Sequence, residues 1–182
     1  QNLGRMLTEY YFPEEAQQVR QLVKKEGGVK ARDKAAVQVL GLTLQELGVG
    51  VAKSWGLPEN LQRMMQTPVG EPPGRPVDKG LERQRWIGRI ANEISDQMLS
   101  DDREAIDARI GRLAESFAPA LAIPARQVQA AAEAARTRLT ALAEALGIHV
   151  QPDAPASRLL ATHLPGNDDT LAPHQLAPTG FA

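Results

Sequence analysis

The sequence predicts an all-α fold, and three observations carry that prediction. Hydrophobic residues make up 42% of the 182 residues but aromatic ones only 4%, so the core must be built from Leu, Val, Ile and Ala, which suits packed helices. Apolar residues recur at spacings of three and four along most of the chain. The segment boundaries carry helix-end chemistry, with Pro, Thr or Asp at the starts and Gly at the ends, and no two segments alternate as a strand pair would.

The chain opens inside the first helix, where Leu3, Met6, Leu7 and Tyr10 share a face until Pro13 forces a break. Pro13-Glu14-Glu15 begins a second helix, because Pro lacks only a donor that the first turn leaves unpaired and carboxylates favour its positive end. Ala16, Val19, Leu22 and Val23 form its apolar stripe, and Gly27-Gly28 end it. A third helix over Ala31 to Leu40 buries Ala36, Val39 and Leu40. Thr43-Leu44-Gln45-Glu46 has the spacing of a capping box. Leu44, Leu47, Val51 and Trp55 line one face of the helix that follows, and Gly48 on that face admits a closely packed neighbour. Gly56 stops this helix, Leu57 anchors the turn, and Pro58 starts a short helix with Leu61, Met64 and Met65.

Residues 67–79, rich in Pro and Gly, predict an extended connection. Beyond it an amphipathic helix presents Leu81, Ile87, Ile90, Ala91, Ile94 and Met98 on one side. Ser100-Asp101-Asp102 offer caps for a helix with Ile106, Ile110, Leu113 and Phe117, which Pro119 interrupts. Pro124 opens a long Ala-rich helix with Val128, Ala131, Ala135, Leu139, Leu142 and Leu146 inward, closed by Gly147. From Gln151 periodicity fades, and a flexible tail or linker is expected, with at most a brief helical turn at Leu159-Leu160. Both Trp55 and Trp86 adjoin apolar faces, so core packing is expected of each.

Composition and motifs exclude much chemistry. A net charge of −1 supplies no long-range field for nucleic acid or anionic membrane. The absence of Cys rules out disulfides and thiolate metal sites. No apolar run approaches the roughly 20 residues of a membrane span, and no segment resembles a leader, so a cytoplasmic protein is expected. His149, His163 and His174 lie at or beyond the last long helix, where metal ligation would carry a large ordering cost. Asp168-Asp169 lack the alternating oxygen ligands of a calcium loop, and Gly27-Gly28-Val29-Lys30 are too few for a phosphate loop. Glu14-Glu15 are explained by their first-turn position without acid–base catalysis. Arg75, Lys79, Arg83, Arg85 and Arg89 form a weak basic patch that Glu82 and Glu93 dilute.

The order of motifs says more than any one of them. "NLGRML…YYFPEEA" followed by "VLGLTLQELGVGVAKSWGLPENLQRMM" resembles the C-terminal half of the HDOD domain, the HD-related output domain of bacterial signalling proteins, from Gln1 to about Met65. Gly4, Tyr11, Pro13, Leu47, Gly48, Trp55, Gly56, Leu57 and Pro58 carry the resemblance as scaffold positions. It implies an HD-like helical bundle over residues 1–66, whose earlier helices would precede Gln1, so the chain is expected to be a fragment with an exposed apolar patch around Leu3, Leu7 and Trp55. The connection 67–79, a three-helix extension over 80–147 like that of kinase-linked members, and a tail over 148–182 complete the expected organisation.

The related HD enzymes hold a metal on a His-Asp dipeptide, which lowers the pKa of bound water and aims it at a phosphoester. The matching position here reads Gln1-Asn2, two neutral amides, and no His-Asp dipeptide occurs anywhere in the chain. Thr43-Leu44-Gln45 and Met64-Met65-Gln66-Thr67 stand where further histidines would be expected. The resemblance therefore implies a signalling output module without catalytic residues, metal or cofactor. It would act through contacts with signalling proteins, such as a kinase or receiver domain in the same polypeptide, with dimerisation through the apolar patch a further expectation. Two alternatives remain open: an HD-type phosphohydrolase of nucleotides or cyclic dinucleotides, and a nucleic-acid-binding adaptor using Arg75, Arg83, Arg85 and Arg89.

Overall fold

A computed structural model describes residues 1–26, 31–78, 80–99, 105–151, 154 and 156–160, and within them the chain is all-helical, with no strand. Expectations that fall on Gly27-Gly28, Lys79, Ser100-Asp101-Asp102, His163, Asp168-Asp169 and His174 lie outside the described residues.

The N-terminal unit is built from α1 (Leu3–Tyr11), α2 (Pro13–Glu26), α3 (Ala31–Leu40), α4 (Leu44–Ser54) and α5 (Glu59–Met64). Helix α1 packs on α4 and α2, α2 on α3, and α4 on α5. The local signals act as the sequence suggests. Phe12, restricted by the following proline, leaves helical geometry at φ −132° and ψ 59°, and α2 begins at Pro13. Thr43 closes the capping box: its Oγ1 accepts the Glu46 amide at 3.1 Å, and its own amide donates to the Glu46 carboxylate at 2.8 Å. Gly56 at φ +71° lets its own amide reach the Lys53 carbonyl and that of Leu57 reach Ala52, the double bond of a Schellman end.

Packing departs from the sequence expectation. The buried residues of α1 to α4 are small: Gly4, Thr8, Ala16, Val19, Ala31, Ala35, Ala36, Gly48 and Ala52. Met6, Tyr10 and Tyr11 face solvent, and Trp55, expected in the core, is 59% exposed. The α4 row that meets α1 is centred on Gly48 and Ala52, so Leu47 and Val51 are only half-buried and Trp55 falls outside the contact. Small residues win that position because they allow close backbone approach.

The second unit holds α6 (Leu81–Met98), α7 (Ile106–Leu121), α8 (Ala125–Ala145) and the short α9 (Ser157–Leu160), each packed on the one before, with α6 also touching α5. Its core joins Trp86, Ile90, Ile94, Ile110, Ala114, Phe117, Leu121 and Val128. Trp86 is 4% exposed and leads the buried row of α6, while Ile87 and Ala91 turn outward. Pro119 does not end its helix. It sits in the last turn of α7, and the stop comes at Ala122, which takes a left-handed conformation (φ 51°, ψ 43°). On α8, Val128 and Ala143 are buried, but Ala131, Ala135, Leu139, Leu142 and Leu146 are exposed. Periodicity groups residues onto a face without choosing which of two adjacent faces meets the neighbour.

Among the described residues no single helix is long and apolar enough to cross a membrane. Helices α3 and α4 pass that test only when taken together, across a 62° bend, and Ala35, Ala36, Gly48 and Ala52 of the pair are buried within the fold.

Candidate functional site

The N-terminal end of α1 meets α6 through side-chain amides. Gln1 Nε2 donates to the Arg85 carbonyl at 3.0 Å, and Gln1 Oε1 accepts from Asn92 Nδ2 at 3.2 Å. Asn2 Nδ2 donates to Asn92 Oδ1 at 2.8 Å. Gly88 lets Gln1 lie against α6, since a Cβ there would stand 3.0 Å from the Gln1 amide carbon. One turn further along each helix, Asp96 accepts from Arg5 at 3.3 Å and from Arg32 of α3 at 2.9 Å. Side chains from α1 and its N-terminal end and from α3 thus converge on two polar side chains of α6. Asn92 and Asp96 lie four residues apart and share one face of that helix.

This geometry decides what the Gln1-Asn2 position can do. A metal-activated hydrolytic site needs anionic or imidazole donors with free lone pairs. The side chains here are neutral, and their amide groups are engaged with one another and with the α6 backbone. Among the described residues no group of three or more His, Cys, Asp or Glu side chains could hold a metal ion. The residues present do not fit the metal of the HD enzymes. Gln45, at a position where that resemblance expects histidine, accepts the Thr67 amide at 2.6 Å and so fastens the connection to α4. His149, the one histidine within the described residues, lies with Nδ1 2.8 Å from the Gly147 carbonyl at the end of α8.

The scaffold positions divide. Gly4 and Gly48 face each other at the α1–α4 crossing, where a Cβ on Gly48 would stand 2.7 Å from the Gly4 nitrogen. Pro13, Gly56, Leu57 and Pro58 shape helix ends, and Leu47 is half-buried. Tyr11 and Trp55 are exposed. A groove of about 750 Å³ lies between α1 and α6, with Met6, Tyr10, Tyr11 and Leu99 among its walls. Leu3 and Leu7 line it too, but both are half-buried.

The arginines of the basic patch are tied into the fold. Arg83 donates through Nε and Nη2 to the Leu121 carbonyl, at 3.2 and 3.0 Å, satisfying an acceptor that the end of α7 leaves open. Arg85 donates to the Gln66 carbonyl and to Glu82. Arg89 pairs with Glu93, donates to the Pro68 and Gly70 carbonyls, and lies 5.2 Å from the Trp86 ring centroid. Arg75 is exposed. The sequence displays the charges of such a patch but not the carbonyls that claim them. Thr8, Arg5, Arg32, Asn92 and Asp96 escaped sequence reasoning, and only the small-residue spacing Gly4–Thr8 hinted at the first of them.

Residues 1–68 match the family described as the HDOD domain, a little over a third of the chain. Neither the curated proteins nor the solved structures give a match.

Proposed function

We propose that the chain is a non-catalytic signal-transduction module whose HDOD-like segment passes on a signal through protein–protein contacts in the bacterial cytoplasm. The observation that carries this is the state of Gln1 and Asn2. Where a related enzyme would ligate a metal, two neutral amides bind Asn92 and the Arg85 carbonyl and join the matched segment to α6. A former ligand position has the chemistry of an intramolecular joint. On this reading the output lies in how the two helical units are presented to a partner, with a kinase or receiver domain in the same polypeptide as the expected context.

Phosphohydrolysis is disfavoured because two neutral amides, hydrogen-bonded to Asn92 and the Arg85 carbonyl, would hold a divalent cation only weakly, and without the cation no water is activated. Nucleic-acid binding is disfavoured because Arg83, Arg85 and Arg89 are spent on carbonyls. The deciding experiment incubates the chain with Mn²⁺, Fe²⁺ or Mg²⁺, removes excess metal, and measures bound metal together with turnover of a phosphodiester substrate. No stoichiometric metal and no turnover are expected. Stoichiometric metal accompanied by turnover would overturn the proposal.

A further inference from the structure

We propose that Arg5 and Arg32 form a carboxylate-binding pair on the N-terminal unit, filled at rest by the chain's own Asp96, and that an acidic side chain of a protein partner takes Asp96's place when the distal half of α6 lifts away. The inference stands on packing and charge, independently of the signalling reading. Arg5 comes from α1 and Arg32 from α3, and both donate to the two oxygens of one carboxylate. Two guanidinium groups brought together need an anion to offset their repulsion, and α6 supplies it.

Asp96 is placed as a removable ligand. Its side chain is 34% exposed, and those of Arg5 and Arg32 are 38% and 41% exposed. Pairs this wet strengthen an equilibrium by roughly five-fold each at most. The apolar row of α6, Trp86, Ile90 and Ile94, belongs to a core whose buried residues all lie on α6, α7 and α8, with Val77 of the connection packed against it, so parting Asp96 from the arginines leaves that core packed. The start of α6 is held separately, through Arg85 on the Gln66 carbonyl and Arg89 on those of Pro68 and Gly70. The helix therefore has a fixed end and a polar end. Asn92 shares the polar end, and its bonds to Gln1 and Asn2 are single amide contacts that water can replace.

The test measures anisotropy of a fluorescein-labelled oligoglutamate peptide against the full chain. D96N removes the internal carboxylate and is expected to bind at least about ten-fold tighter than the wild type, because a tethered competitor acts at high effective concentration. Adding R5Q and R32Q to D96N should abolish the gain. E59Q makes the same charge change at the exposed Arg63–Glu59 pair and should bind like the wild type. Amide hydrogen exchange over the core stretches of α6 and α7, residues 86–98 and 106–121, should remain protected in D96N. Equal binding by wild type and D96N would overturn the proposal, as would the same gain in E59Q or a gain that survives R5Q/R32Q. Loss of core protection in D96N would overturn it too, by showing Asp96 to be part of the fold rather than a ligand held by it.

Discussion

Gly4 of α1 and Gly48 of α4 cross with their backbones in contact: a Cβ on Gly4 would lie 1.8 Å from the Leu44 carbonyl oxygen, and one on Gly48 only 3.3 Å from the Gly4 Cα. No rotamer relieves a clash between a Cβ and a backbone atom, so only separation of the helices would. Thr8, one turn on, is buried beside this crossing and returns its hydroxyl to the Gly4 carbonyl at 2.9 Å, which satisfies the polar atom that burial would otherwise strand. The N-terminal unit is thus joined by close approach of small residues rather than by bulky side chains.

Gly4→Ala and Gly48→Ala should each lower stability by about 1–3 kcal/mol, the cost of overpacking, despite the better helix propensity of alanine. Gly50 supplies the control. It lies in the same helix as Gly48, and a methyl added there would meet nothing within 4 Å, so Gly50→Ala should raise stability by roughly 0.5–1 kcal/mol. Urea unfolding of the three variants separates the two effects, and a destabilised G50A would show that propensity does not govern α4.

Ala122 closes α7 in the left-handed region, where its Cβ crowds the following carbonyl. The amides of Ala122 and Ile123 donate back to the Pro119 and Ala118 carbonyls, a Schellman end at which glycine is the usual residue. Ala122→Gly relieves about 1–2 kcal/mol of strain and gives back roughly 0.4–1 kcal/mol through the freer unfolded chain. A net gain of a few tenths to about 1 kcal/mol should appear as a higher melting temperature, and Ala122→Val should lower it.

Legibility in the sequence follows the range of the physics. The Thr43–Glu46 box, the Gly56 and Gly147 stops and the Pro13 start were readable because each is settled within five residues. Gly48 was readable as a close-approach position, and Trp86 as a core residue. Trp55 was legible only in part: its apolar face pointed to the core and the resemblance to an exposed patch, and its exposure depends on α4 turning Gly48 and Ala52 toward α1, which no local pattern states. The same limit hid the outward turn of Leu139, Leu142 and Leu146. The joint of Gln1, Asn2 and Asn92 was half visible: the resemblance marked the first two positions, but their partner lies about ninety residues away on a helix legible only by its apolar face.

Acid should weaken the start of α4 through Glu46. The Thr43 backbone amide, and secondarily its hydroxyl, holds the Glu46 carboxyl below its ordinary range. A carboxyl depressed in the folded state stabilises fully above its unfolded value, and that contribution disappears as pH falls through the folded one. The loss therefore begins near the ordinary glutamate pKa of about 4.3 and is complete below the depressed value. Glu46→Gln keeps an acceptor but not the charge, so it should melt below the wild type at about pH 7 and converge with it once the pH falls below the depressed value. Parallel melting curves across that range would remove the capping carboxylate as the cause.

Arg89 makes the most varied set of contacts among the arginines of α6. Its guanidinium lies 5.2 Å from the Trp86 centroid and 5.7 Å from that of Phe117, whose rings meet edge-on at 5.9 Å. Its remaining donors reach Glu93 and two carbonyls of the Pro/Gly-rich connection. A planar fork can do both tasks at once, whereas an ammonium is a point donor that would have to choose. Arg89→Lys should therefore destabilise by about 1–3 kcal/mol although the charge is kept. Hydrogen exchange should distinguish the two roles, since loss of the carbonyl bonds frees amides in residues 67–78 before the Trp86–Phe117 core opens. An Arg89→Lys chain as stable as the wild type would reduce Arg89 to a bystander charge over a self-sufficient aromatic pair.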